Sequence, residues 1–186
     1  FSMGELWGRG SDVRLFDQHV RSVSRFLERE LRTAALPPNV SSGTGAIAPK
    51  ETKSGLGLDR HLLTFELKEG SRLMLWPERA LPEVVCSLTV RDGTGLVLLW
   101  HSRLEKRFQD DPPRETTLSP MVVSLAYDYY DTEFKRWETV TALRPTRGQR
   151  DAYDTPQRLR LTFKHGQLTE ESVISLPQAT EGLPYF

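Results

Sequence analysis

Residues 11–38 read SDVRLFDQHVRSVSRFLERELRTAALPP, and the spacing within them decides what the rest of the chain has to do. Val13, Phe16, Val20, Val23, Leu27, Leu31 and Ala34 recur three or four positions apart, which puts them along one side of a helix. Ser11 offers a capping hydroxyl and Asp12 a carboxylate in the first turn, whereas Pro37 and Pro38 lack the amide donors a continuing helix needs. Arg14, Arg21, Arg25, Glu28, Arg29 and Arg32 fill the other sides, with Glu28 and Arg32 at the favourable i,i+4 spacing. The spacing predicts a helix over 11–36, about twice the usual length. So long a helix outruns a small body. Val13, Phe16 and Val20, at the front of the stripe, are therefore expected to form a partner interface, with Arg14 and Arg21 as its polar rim.

Past the helix the period changes from 3.6 to two. Residues 37–60 carry Pro, Gly, Ser and Thr without a period and predict a long loop. Leu63, Phe65 and Leu67 then alternate, and Lys68 to Ser71 turn the chain into Leu73 and Leu75. Val84, Cys86, Leu88 and Val90 lead through Asp92-Gly93-Thr94-Gly95 into Leu96, Leu98 and Trp100. After a charged second loop from Arg103 to Pro120 come Met121, Val123, Leu125, Tyr127 and Tyr129, returning near Trp137. Leu159, Leu161 and Phe163 turn at His165-Gly166 toward Ile174 and Leu176. The expected fold is α+β: a long N-terminal helix packed on antiparallel β-sheet(s) of about eight strands in hairpins. Its core should join Leu27, Leu31 and Ala34 to Leu63, Phe65, Leu125, Tyr127 and Leu161. Phe1 to Met3 reads as a tag remnant. That leaves 1–10 as a flexible start, 11–177 as a single domain with helix 11–36 and a β-rich head 61–177, and 178–186 as a tail.

Composition narrows the functional classes. The 186 residues hold 25 cationic and 25 anionic side chains, for a net charge of zero, which excludes a nucleic-acid binder working by bulk charge. With 38% apolar residues the chain can build a core, and it contains no apolar run of membrane-spanning length. One cysteine, Cys86, rules out an internal disulfide, and its place among Val84, Leu88 and Val90 marks a core thiol rather than a nucleophile. His19, His61, His101 and His165 lie far apart, so no metal site is expected. Asp128, Asp131 and Glu133 cluster, but without the alternating ligands and central glycine of a calcium loop. Ser41-Ser42-Gly43-Thr44-Gly45 is phosphate-cradle-like in composition only. Tyr127, Tyr129, Tyr130, Phe134 and Trp137 could stack sugars or bases, although alternation sends Tyr127 and Tyr129 inward and leaves Tyr130 outside. No acid, base or nucleophile constellation emerges, so no enzyme and no cofactor are expected.

The order of these features resembles the J-type minor pseudopilins of the bacterial type II (general) secretion pathway. Phe26-Leu27-Glu28-Arg29-Glu30-Leu31-Arg32-Thr33-Ala34 resembles the family's signature at the end of the helix. Leu63-Thr64-Phe65-Glu66 is similar to its first strand, and Val123 to Asp131 with Trp137 to its central strand. Pro156-Gln157-Arg158-Leu159-Arg160-Leu161 with Ile174-Ser175-Leu176-Pro177 resembles its closing hairpin. The resemblance implies a structural subunit of the pseudopilus tip, assembling with I-type and K-type minor pseudopilins to promote export of folded proteins across the outer membrane. It also implies a head in the periplasm and an anchor in the inner membrane, supplied by about 20 apolar residues ahead of the helix. Minor pilins of type IV pili or competence systems share these features. A soluble β-barrel-like carrier of an apolar ligand is the alternative from another class.

Overall fold

The computed structural model describes residues 3–34, 47–53, 59–67, 82–107, 110–148 and 153–177. Helix α1 spans Met3–Ala34. Nine strands follow: β1 (Ile47–Lys53), β2 (Asp59–Leu67), β3 (Val84–Arg91), β4 (Gly95–Ser102), β5 (Arg114–Ser119), β6 (Val122–Asp131), β7 (Arg136–Val140), β8 (Arg158–His165) and β9 (Leu168–Ser175). They form a five-stranded sheet in the order β1-β2-β3-β4-β5 and a four-stranded sheet in the order β7-β6-β8-β9, antiparallel throughout.

This corrects the expected α+β class. The molecule is mostly β, with two antiparallel sheets and one helix among the described residues, rather than a long helix laid on a sheet. The reason lies in the two stretches expected to be loops. Ile47 to Lys53 pairs along its whole length with Asp59 to Phe65, and Arg114 to Ser119 pairs with β4, so each adds an edge strand to the first sheet. Edge strands pair on one side only and tolerate Pro49 and unpatterned polar residues, so they lack the alternation that reveals an inner strand. The β-rich part accordingly begins at Ile47 rather than residue 61. Leu73 and Leu75, Phe1 and Ser2 of the expected tag remnant, and the tail 178–186 lie outside the described residues, while Met3, expected with the tag, begins α1.

The helix also starts earlier than expected, at Met3 instead of Ser11, so Ser11 is inside it and caps nothing. A propagating helix gains a hydrogen bond for each residue added, and a capping side chain helps only where the chain leaves the helix.

Alternation fills the space between helix and sheets. Leu63, Phe65, Leu67, Val84, Cys86, Leu88, Leu96, Leu98 and Trp100 of the first sheet meet Val122, Tyr127, Tyr129, Leu159, Leu161, Phe163 and Ile174 of the second in one buried cluster. Phe16, Val20, Val23, Leu27, Leu31 and Ala34 of α1 close it, the helix lying chiefly against β9 of one sheet and β2 of the other. Leu125, expected in the core, is partly buried against its edge. The sheets meet where the chain passes from β5 to β6. There Gly95, at φ +92°, lies under the Ser119 carbonyl, and a Cβ at residue 95 would stand 2.1 Å from that oxygen. Only glycine permits this approach.

Candidate interaction surfaces

The sequence singled out the front of α1, and the structure divides those residues. Val13 is 40% exposed, and Arg14 and Arg21 are exposed as well, Arg14 Nε donating to the Gly10 carbonyl at 3.3 Å. Phe16 and Val20 are not on the surface. Each is 3% exposed, and Phe16 stacks on His165 at 6.5 Å between ring centroids. Between them His19 joins its Nε2 to Ser119 Oγ at 2.7 Å and meets Phe163 edge-on at 6.3 Å, and one turn later Ser24 Oγ lies 2.6 Å from Ser172 Oγ. Of these partners, Ser119 ends β5 and His165 ends β8, whereas Ser172 lies midway along β9. The expected seam of Val13, Phe16 and Val20 is therefore corrected: two of its three apolar members belong to the core. Leu15, 62% exposed, is uncovered too, on a different side of the helix from Val13. Its signal in the sequence is an apolar residue off the buried stripe.

A second surface covers the outer face of the four-stranded sheet. Pairing of β6 with β8 places Asp128 opposite Arg158, and Asp128 is fully buried although it points away from the core. Its two oxygens accept from Thr139 Oγ1 at 2.8 Å, Arg158 Nε at 3.1 Å, and Arg160 Nε and Nη2 at 3.2 and 2.9 Å. Burial alone would raise the Asp128 pKa. Hydrogen bonds from Arg160 and Thr139 and the charges of Arg160 and Arg158 outweigh it and hold the carboxyl below its usual range. Arg160 also donates to Glu171 at 2.9 Å, and Arg158 lies 3.4 Å above the Trp137 ring, which meets Tyr130 at 5.1 Å. Tyr127 and Tyr129 are buried and Tyr130 is exposed, as alternation required, and Phe134 and Trp137 are exposed as well, so most of the aromatic cluster lies outside the core. The arginines were missed, yet Arg158-Leu159-Arg160-Leu161 carries their signal: alternation sends both to one face.

A cleft of about 610 Å³ opens between the sheets, bounded by Leu88, Val90, Leu125, Tyr127 and Tyr153 with Asp92 and Thr141 at its polar parts. Burial, with a smaller contribution from Tyr129, pushes the Tyr127 phenol up to about 12, which keeps it protonated and neutral. Cys86 is buried, and desolvation and then Glu30 raise its thiol pKa, so it stays a protonated core group. Among the described residues no group of histidine, cysteine and carboxylate side chains could hold a metal ion, and no helix is long and apolar enough to cross a membrane.

No family model matches the chain, and no curated protein matches it significantly.

Proposed function

We propose that the chain is a structural subunit of the type II secretion pseudopilus tip, of the J-type minor pseudopilin kind, assembling with I-type and K-type subunits to promote export of folded proteins. One observation carries this reading. On the stretch of α1 from Gly10 to Leu15, ahead of the buried Phe16, no residue is buried, and Val13 and Leu15 stand 40% and 62% exposed. Two positions apart, they lie on different sides of the helix, and apolar side chains exposed on two sides suit packing between the helices of neighbours. The helix-end signature Phe26 to Ala34 supports the same reading, since its leucines Leu27 and Leu31 fix the helix to the body while Arg29 and Arg32 stay outside. In this reading an apolar segment ahead of the helix anchors the subunit in the inner membrane, and the body stands in the periplasm. Assembly needs no cofactor.

The test is co-expression with I-type and K-type minor pseudopilins of the same organism, followed by affinity capture and an exoprotein secretion assay. Val13→Asp combined with Leu15→Asp should leave the thermal midpoint of the isolated chain unchanged while abolishing capture and reducing secretion. Undiminished capture and secretion by a folded double variant would place the interface elsewhere. Failure of the wild-type chain to bind either partner would overturn the reading.

A further inference from the structure

Strand β7 ends its sheet, and Arg136, Trp137, Glu138 and Thr139 are all exposed along it. Its sequence, Arg-Trp-Glu-Thr-Val, has no proline, so the backbone of the outer edge can pair with another strand. The edge is preordered. Asp131 Oδ1 accepts from the Glu133 and Phe134 amides at 2.9 and 3.0 Å, Lys135 takes φ +50°, and Arg158 and Tyr130 hold the Trp137 ring against the sheet. A strand already fixed in its bound shape loses little freedom on docking.

Edge strands commonly carry charge to repel others, but the charges of β7 are arranged to attract a copy of themselves. Arg136 and Glu138 lie two residues apart, on one face, either side of Trp137. When two antiparallel copies of a strand meet across a twofold axis centred on one residue, each position before the centre lies opposite the same step after it. Centred on Trp137, this sets Arg136 opposite Glu138 of the second copy, and does so twice. Trp137 then faces Trp137 on the other side of the sheet, and Lys135 faces Thr139. The other edge strands with described side chains offer no such match. In β5, Arg114 and Glu115 are adjacent, so they point to opposite faces, whereas Glu138 of β7, 4.0 Å from Arg144, shares a face with Arg136. In β9 there are two glutamates and no cation.

We propose that this chain associates with a second copy of itself by β7-to-β7 pairing in that register, making one continuous sheet from the four strands of each copy. Pairing through β7 does not depend on the secretion reading, and its test uses the isolated chain alone.

Analytical ultracentrifugation of the wild-type chain should show a monomer–dimer equilibrium. Arg136→Glu alone sets Glu against Glu138, and Glu138→Arg alone sets Arg against Arg136, so each single variant should dimerise roughly tenfold more weakly. An equimolar mixture of the two variants restores both opposite-charge contacts and should dimerise as the wild type does. Recovery in the mixture also shows that each variant is folded. In parallel, Trp137→Cys should form an intermolecular disulfide rapidly under mild oxidation, because residue 137 faces itself, whereas Glu138→Cys should cross-link slowly, its twin being displaced by two positions. A wild-type chain that stays monomeric at millimolar concentration overturns the proposal. So does a dimer indifferent to both charge changes, a mixture no better than the single variants, or equal cross-linking at 137 and 138.

Discussion

Replacing Asp128 by asparagine keeps the shape of the side chain and removes its charge, and the consequences can be worked through from its surroundings. The carboxylate is fully buried and takes four hydrogen bonds, three of them from Arg158 and Arg160. Asparagine retains one acceptor oxygen and turns an amide N–H₂ toward guanidinium donors. Removing one partner of a buried ion pair costs about 3–5 kcal/mol, because the remaining charge has lost its compensation. Both arginine side chains are 25% exposed, and Arg160 keeps Glu171, so water and that glutamate take up part of the released charge. The lower figure, about 3 kcal/mol, therefore applies, and for a chain of this size it lowers the thermal midpoint by about 6–12 °C. The pH dependence gives an independent check. A carboxyl whose pKa is lowered by folding binds more protons in the unfolded chain, so its stabilisation is full above the unfolded value, 3.8, and is lost as pH falls through the folded one. Denaturant unfolding at neutral pH should show the full gap between wild type and Asp128→Asn, and the gap should narrow as the pH is lowered past 3.8. A variant within about 1 kcal/mol of wild type at pH 7, or a gap that persists unchanged in acid, would refute the account of this cluster.

Phe16→Ser combined with Val20→Ser should destabilise the isolated chain by at least about 4 kcal/mol in denaturant unfolding, since both side chains are buried; an unchanged midpoint would return them to the surface. Gly95→Ala should lower the thermal midpoint measurably, because its Cβ would collide with the Ser119 carbonyl at a φ that alanine disfavours, and a neutral result would mean that the β5-to-β6 passage yields easily.

Elements whose physics is local could be read from the sequence. The buried stripe of α1 from Phe16 to Ala34 is written in its 3.6 period, and the β3–β4 and β8–β9 turns in Asp92-Gly93-Thr94-Gly95 and His165-Gly166, where Gly93, Gly95 and Gly166 take positive φ. What could not be read depends on separation. Nothing local says that β6 pairs with β8 across β7, and that pairing alone brings Asp128 to Arg158 and Arg160 thirty positions on. The covered length of the helix was misjudged for the same reason. Phe16 stacks on His165, and His19 beside it meets Ser119 and Phe163, positions that sequence spacing cannot set against the front of the helix.

The closing of the core by α1 also sets an order of events during synthesis. Ser24 meets Ser172 across 148 positions, and Phe16 meets His165 across a similar span. At about 5–20 residues per second, a ribosome needs about 7–30 s to make the strand that covers a helix already emerged. Helix formation itself takes about a microsecond or less, so the helix can form long before its cover exists. Through that interval the stripe from Phe16 to Ala34 has no intramolecular lid over its β9 side. The nascent chain is thus a natural client for any factor that shields apolar helices, and folding completes only after the last hairpin has been delivered.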